Sequence, residues 1–199
     1  MTLAGPAVVA GPDGRTRCWW ATGSPSMTAY HDDEWGMPVS DDVDLLERLM
    51  LEGFQAGLSW QTILNKREAF RTAFRGWDPA VVAAFGDADR ERLMADAGIV
   101  RNRSKIDAAI GNAAVFLDVV REFGSFDAYV ATIVPRPPRR LPSTAQWDDL
   151  AATTTESDAL SRDLKRRGFR FVGSTIVYAF MESVGLVDHH LPGCFRYRG

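Results

Sequence analysis

Residues 95–105 read Ala-Asp-Ala-Gly-Ile-Val-Arg-Asn-Arg-Ser-Lys, and this stretch decides the fold class. Gly98 marks a turn between two segments whose apolar residues recur at three- and four-residue spacing, the period of an amphipathic helix. One helix is predicted over residues 88–97. The next covers 102–122, with Ile106, Ile110, Ala113, Leu117 and Val120 on its apolar face and Asp107, Asp118 and Arg121 opposite. The period continues outward, predicting helices over 42–56, 60–74, 79–85, 126–132, 156–167 and 174–184. Alternating β-branched runs are few, so the fold class is all-α: a single compact helical domain. Ser40 or Asp41 can cap the helix at 42, Thr155 with Asp158 resembles a capping box, and Gly168 and Gly185 can close the last two helices. Residues 135–142 hold four prolines and read as an exposed loop.

The chain of 199 residues is long enough for a real core and short for two enzyme domains. Its 46% hydrophobic and 25% charged residues are those of an ordinary folded protein. A net charge of -3 excludes a surface coated with cations, so any nucleic-acid contact must come from a local patch. Residues 1–17, rich in Gly, Pro and Ala, are expected to form a flexible tail before a domain at 18–199. Their short apolar run is no signal peptide, and no run has the length of a membrane span, so the expectation is a cytoplasmic protein without a membrane partner.

The two cysteines, Cys18 and Cys194, and the three histidines, His31, His189 and His190, all lie near the chain ends. Cys18 precedes His31 by thirteen positions and His190 precedes Cys194 by four, giving the donor set of a tetrahedral structural zinc: Cys18, His31, His190 and Cys194. Such an ion would clasp the termini together. Spacing alone leaves two other readings, free cysteines beside loop histidines and a Cys18–Cys194 disulfide, the latter disfavoured without a secretory signal. His189 is the ambiguous neighbour.

On the helix predicted from residue 42, Leu45, Leu49, Glu52 and Ala56 share a stripe, which puts a carboxylate toward the core. A buried, unpaired carboxylate is costly and points to a ligand, unless the side chain reaches water at the stripe's edge. Trp19, Trp20, Tyr30, Trp35 and Trp60 lie nearby in sequence, and aromatics beside an acid suit a flat cationic guest. Trp35 and Trp77 are assigned to the core. Past the Gly98 turn, backbone donors and the cations Arg101, Arg103 and Lys105 can grip a phosphate, although a basic helix face can equally be solvated, and the run Lys165, Arg166, Arg167 shares that ambiguity.

Four stretches in this order, Tyr30-His31-Asp32-Asp33-Glu34-Trp35-Gly36, Leu51-Glu52-Gly53-Phe54-Gln55-Ala56-Gly57-Leu58-Ser59-Trp60, Asp96-Ala97-Gly98-Ile99-Val100-Arg101 and Gly168-Phe169-Arg170-Phe171-Val172-Gly173, carry a resemblance that covers nearly everything from Cys18 onward. They resemble the DNA-3-methyladenine glycosylase I family, bacterial members of the helix-hairpin-helix DNA glycosylase superfamily. The resemblance implies one structural zinc at Cys18, His31, His190 and Cys194, and a base pocket of Glu52, Tyr30, Trp60 and Trp20. Met27 stands where the family typically has a pocket tyrosine. It also implies a helix-hairpin-helix motif that holds the DNA backbone through Gly98, Val100, Arg101, Arg103 and Lys105. The implied activity is monofunctional excision of 3-methyladenine from alkylated double-stranded DNA, by base flipping and hydrolysis of the N-glycosidic bond, as the first step of base excision repair by a monomer. Asp118, near the place of a superfamily catalytic aspartate, falls on the polar face and is not assigned a role. No lysine adjoins the pocket motifs, so Schiff-base chemistry is not expected.

Overall fold

A computed structural model describes residues 7–136 and 138–198. Nine helices are found among them: α1 (Pro25–Asp33), α2 (Asp42–Gln55), α3 (Trp60–Ala73), α4 (Pro79–Ala83), α5 (Asp87–Ala95), α6 (Arg103–Phe123), α7 (Phe126–Ala131), α8 (Thr155–Arg167) and α9 (Ser174–Ser183). Eight match the helices expected from apolar spacing to within two residues at either end. α1 does not come from that pattern, because its buried residues, Tyr30, His31 and Asp32, are mostly polar.

Side-chain caps set several starts. Asp41, rather than Ser40, accepts from Val43 and Asp44 at the head of α2; Ser59 caps α3; and Asn102 accepts from the Lys105 amide at 3.1 Å to begin α6. The capping box of α8 sits one residue earlier than expected, on Thr154 and Ser157, since the Thr154 hydroxyl is the one that reaches the Ser157 amide.

The main core is an apolar cluster built around α2, α3 and α6, and a second, smaller one gathers Leu191 with Cys18 and Cys194. Trp77 is fully buried and stacks on Phe74 at 4.3 Å between ring centroids; Phe116 stacks on Phe126 at 4.4 Å. α6 runs its Asn112 side chain to both the amide and the carbonyl of Arg170, which pins the loop between α8 and α9.

The expected flexible tail is corrected in part. Val8–Ala10 (β1) and Thr16–Cys18 (β2) pair as an antiparallel hairpin, with Val8 opposite Cys18. The Phe195 amide donates to the Thr16 carbonyl, so the hairpin is held by the C-terminal segment. Residues 1–6 lie outside the described residues. The proline-rich loop is exposed over most of its described length, but Arg139–Arg140 (β3) pairs in parallel with Val187–Asp188 (β4). No helix among the described residues is long and apolar enough to cross a membrane.

Candidate active site and metal centre

α1, α2, α3 and α9 surround a cavity of about 420 Å³ whose lining includes Trp20, Met27, Tyr30, Trp35, Glu52, Gln55, Trp60, Tyr178 and Glu182. α1 delivers Met27 and Tyr30 from one face, three residues apart. Trp60 is the first residue of α3, and its ring centroid lies 5.3 Å from that of Tyr30. Trp20 packs edge-on against Trp35 at 4.9 Å, so Trp35, expected in the core, is instead a cavity wall. Trp147 and Leu150, from the segment before α8, add an apolar rim that no sequence motif marked.

Glu52 is 4% exposed, so its side chain does not reach out to bulk water. Burial, then the nearby charge of Glu182, pushes its carboxyl up to about 8 against the opposing pull of Arg48. Burial and the neighbouring Glu52 likewise hold the Tyr30 phenol well above its usual range. The cavity therefore presents a largely protonated acid beside aromatic faces at neutral pH. An arriving cation would reverse that preference and favour the ionised form.

At the turn between α5 and α6, Gly98 is needed for close approach: a β-carbon there would lie 2.9 Å from Asp96 Oδ1 and 3.0 Å from Ala69 Cβ. Lys66 secures the turn from α3 by donating to the carbonyls of Ala97 and Gly98, both at 3.0 Å. Arg101 and Arg103 are exposed, Arg103 pairing with Asp107. Val100 is half-buried against the core, and its carbonyl accepts from the Asn102 amide. Lys105 requires a correction. Its ammonium turns inward and donates to the carbonyls of Phe54 at 2.8 Å and Ala56 at 2.6 Å, closing the C-terminal end of α2 and leaving no ammonium on the surface. Asp118 is exposed and paired with Arg121. Arg166 and Arg167 are taken up by Asp163 and Glu122.

Near the chain ends, ligand atoms of Cys18, His31 and Cys194 lie within 4.8 Å of one another, all buried, and both cysteines are free thiols. His31 Nδ1 faces Asp32 at 2.8 Å, and Asp32 is held in turn by Arg17, which leaves Nε2 directed at Cys194 Sγ, 3.4 Å away. His190 repeats the pattern: Nδ1 meets Asp188 at 2.8 Å, while Nε2 is buried without a hydrogen-bond partner among the described residues. Gly36, at φ 75°, makes room for that ring, because a β-carbon there would lie 3.0 Å from His190 Cε1. Backbone amides of Leu191 and Arg196 point at the two sulfurs. Cys18, His31 and Cys194, a carboxylate-oriented imidazole beside two thiols that accept backbone amides, form a cluster that could hold a metal ion, while His190, the expected fourth ligand, is not part of that three-residue group. His189 turns away, toward Glu182 and Tyr178.

A family model described as methyladenine glycosylase matches residues 20–197. Escherichia coli (strain K12) DNA-3-methyladenine glycosylase 1 is 47% identical over 183 residues, spanning 92% of this chain and 97% of the relative. A crystal structure of a 3-methyladenine DNA glycosylase I superposes with a TM-score of 0.88 at 45% identity, covering 92% of this chain and all of the other. A point variant of a 3-methyladenine DNA glycosylase I, in complex with 3-methyladenine, superposes with a TM-score of 0.87 at 36% identity, over 92% and 98% of the two chains.

Proposed function

The chain belongs to the methyladenine glycosylase family, and from this premise we propose that it excises 3-methyladenine from alkylated double-stranded DNA, opening base excision repair. The observation that carries the reading is the buried, unpaired Glu52 in an aromatic cavity. An adenine methylated at N3 is cationic while attached to its sugar. A flipped nucleotide could rest its base against Trp60 and Tyr30, with Trp20, Trp35 and Met27 closing the sides and Glu52 reading charge and hydrogen bonds. Water then adds to C1′ of the sugar as the bond to the base nitrogen breaks. The bond's electrons go to the base, which leaves neutral, and the water's proton passes to solvent. The cationic leaving group needs little acid assistance, so the protein's task is recognition, flipping and exclusion of undamaged bases.

The turn from α5 to α6 serves as the helix-hairpin-helix grip, with Gly98, Val100, Arg101 and Arg103 at the DNA backbone and Lys105 acting from behind as a support for α2. One Zn²⁺ held by Cys18, His31, His190 and Cys194 would join the ends of the catalytic domain, residues 18–199, as a structural clasp. The enzyme works as a monomer in the cytoplasm.

The test is release of 3-methyladenine from methylated duplex DNA by the zinc-loaded protein and by Glu52→Gln of equal zinc content. Release by the wild type, at least ~100-fold slower in the variant, is expected for a lost transition-state contact of roughly 3 kcal/mol. A wild type that frees no base would sink the assignment.

A further inference from the structure

Glu182 is a second acid in the base cavity, and no motif singled it out. It reaches the cavity from α9, as Glu52 does from α2. Unlike Glu52, it is anchored: Oε1 lies 2.7 Å from His189 Nδ1, and the same imidazole meets the Tyr178 hydroxyl at 3.0 Å through Nε2. This chain of contacts accounts for His189 turning toward α9 rather than toward the cysteines. Glu182 Oε2 has no hydrogen bond among the described residues, and the side chain is 20% exposed, open enough to meet a guest and enclosed enough for weak screening.

We propose that Glu182 is a specificity-determining residue for the base, its His189-anchored carboxylate supplying the fixed negative charge that selects a cationic ring. The proposal rests on the glycosylase reading. Two carboxyl groups in one enclosed site oppose each other's ionisation, and a guest carrying positive charge relieves that opposition. The nearness of the two is visible in Glu52, where burial and then Glu182 favour the protonated form. The cavity thus sets two acids side by side, one anchored by a buried imidazole and one without such an anchor among the described residues. A cationic base relieves the conflict between the acids, and a neutral base of the same outline does not.

The probes are 3,9-dimethyladeninium, a fixed cation, and its neutral isostere 3-deaza-3,9-dimethyladenine, titrated calorimetrically into zinc-loaded wild type, Glu182→Gln and Glu182→Asp. Glu182→Gln should weaken the cation about tenfold and the isostere less than about twofold, and Glu182→Asp should retain part of the preference. An equal loss for both probes would mean a structural role and overturn the proposal, as would unchanged cation affinity. If Glu182→Gln does not fold, Glu182→Asp decides alone: a cation preference reduced below that of the wild type, with affinity for the isostere changed less than about twofold, supports charge selection, and an unchanged preference or an equal loss for both probes refutes it. Wild type that releases 3-methyladenine yet does not prefer the cation refutes this inference alone, whereas failure to release any base refutes the function beneath it.

Discussion

Glu47 and Glu52 lie five residues apart on α2 and both are buried, yet their surroundings differ completely. Glu47 is held by Arg67 at 2.6 Å and Arg71 at 2.9 Å, so its charge is compensated. Glu52 has no such partner among the described residues, and burial followed by Glu182 lifts its carboxyl from 4.5 to about 8. The sign of the resulting linkage follows from proton binding. Between those two values the folded protein holds a proton that the unfolded chain has lost, so this residue's contribution to stability is fullest below 4.5 and falls as pH rises to about 8. Glu52→Gln cannot ionise and escapes that loss. Its stability should approach the wild type's near pH 4.5 and gain on it increasingly toward pH 8, by on the order of 2 kcal/mol over that range, which appears as a widening gap in melting temperature. Parallel melts of the two zinc-loaded proteins across that range would check this, and a pH-independent gap would contradict it. A variant that is more stable and less active is the signature of a residue kept for function.

Helices that bury an apolar face, such as α2 and α6, were legible in the sequence because burial and periodicity carry the same information. α1 was not, since what it buries is a phenol, an imidazole that meets Cys194 and a carboxylate that meets Arg17, both partners lying outside the helix. The β1–β2 hairpin was hidden for a related reason: its strands are three residues long and draw order from the C-terminal segment. Spacing showed where cations follow the Gly98 turn but not their direction, which depends on what each one meets. Arg101 meets solvent, whereas Lys105 meets the open carbonyls at the end of α2. The two elements therefore separate in experiment. Arg101→Ala should weaken binding to undamaged duplex and lower the salt slope by about one, with the melting temperature unchanged. Lys105→Met should destabilise the fold by roughly 1–3 kcal/mol through unsatisfied carbonyls, with the salt slope unchanged. Fluorescence anisotropy against salt, paired with melting curves, distinguishes them, and a lowered slope for Lys105→Met would restore it to the DNA surface.

Over the whole molecule, the Cys18–His31–Cys194 cluster and the aromatic cavity are neighbours rather than separate devices. Trp20 lies 5.2 Å from the His31 ring and 6.4 Å from Tyr30, and Trp35 lies 4.7 Å from His190. Two walls of the cavity thus pack on the imidazoles of His31 and His190, and His31 Nε2 in turn faces Cys194 Sγ at 3.4 Å. An ion at that centre closes a loop of nearly the full chain length, which constrains the unfolded state, and its binding energy adds to folding energy. The purified protein should contain one zinc per chain, and Cys194→Ser should lose it. Withdrawing the ion should lower the melting temperature by roughly 10 °C, the equivalent of about 4 kcal/mol for a chain of this size. Because Trp20 and Trp35 would lose their support, affinity for 3-methyladenine should also fall below the wild-type value at temperatures where the metal-free protein is still folded. Metal analysis, melting curves and base titration on the same preparations check the three statements together. A metal-free protein with unaltered base affinity would show that the clasp holds the ends without shaping the cavity, and unchanged melting would remove the clasp itself.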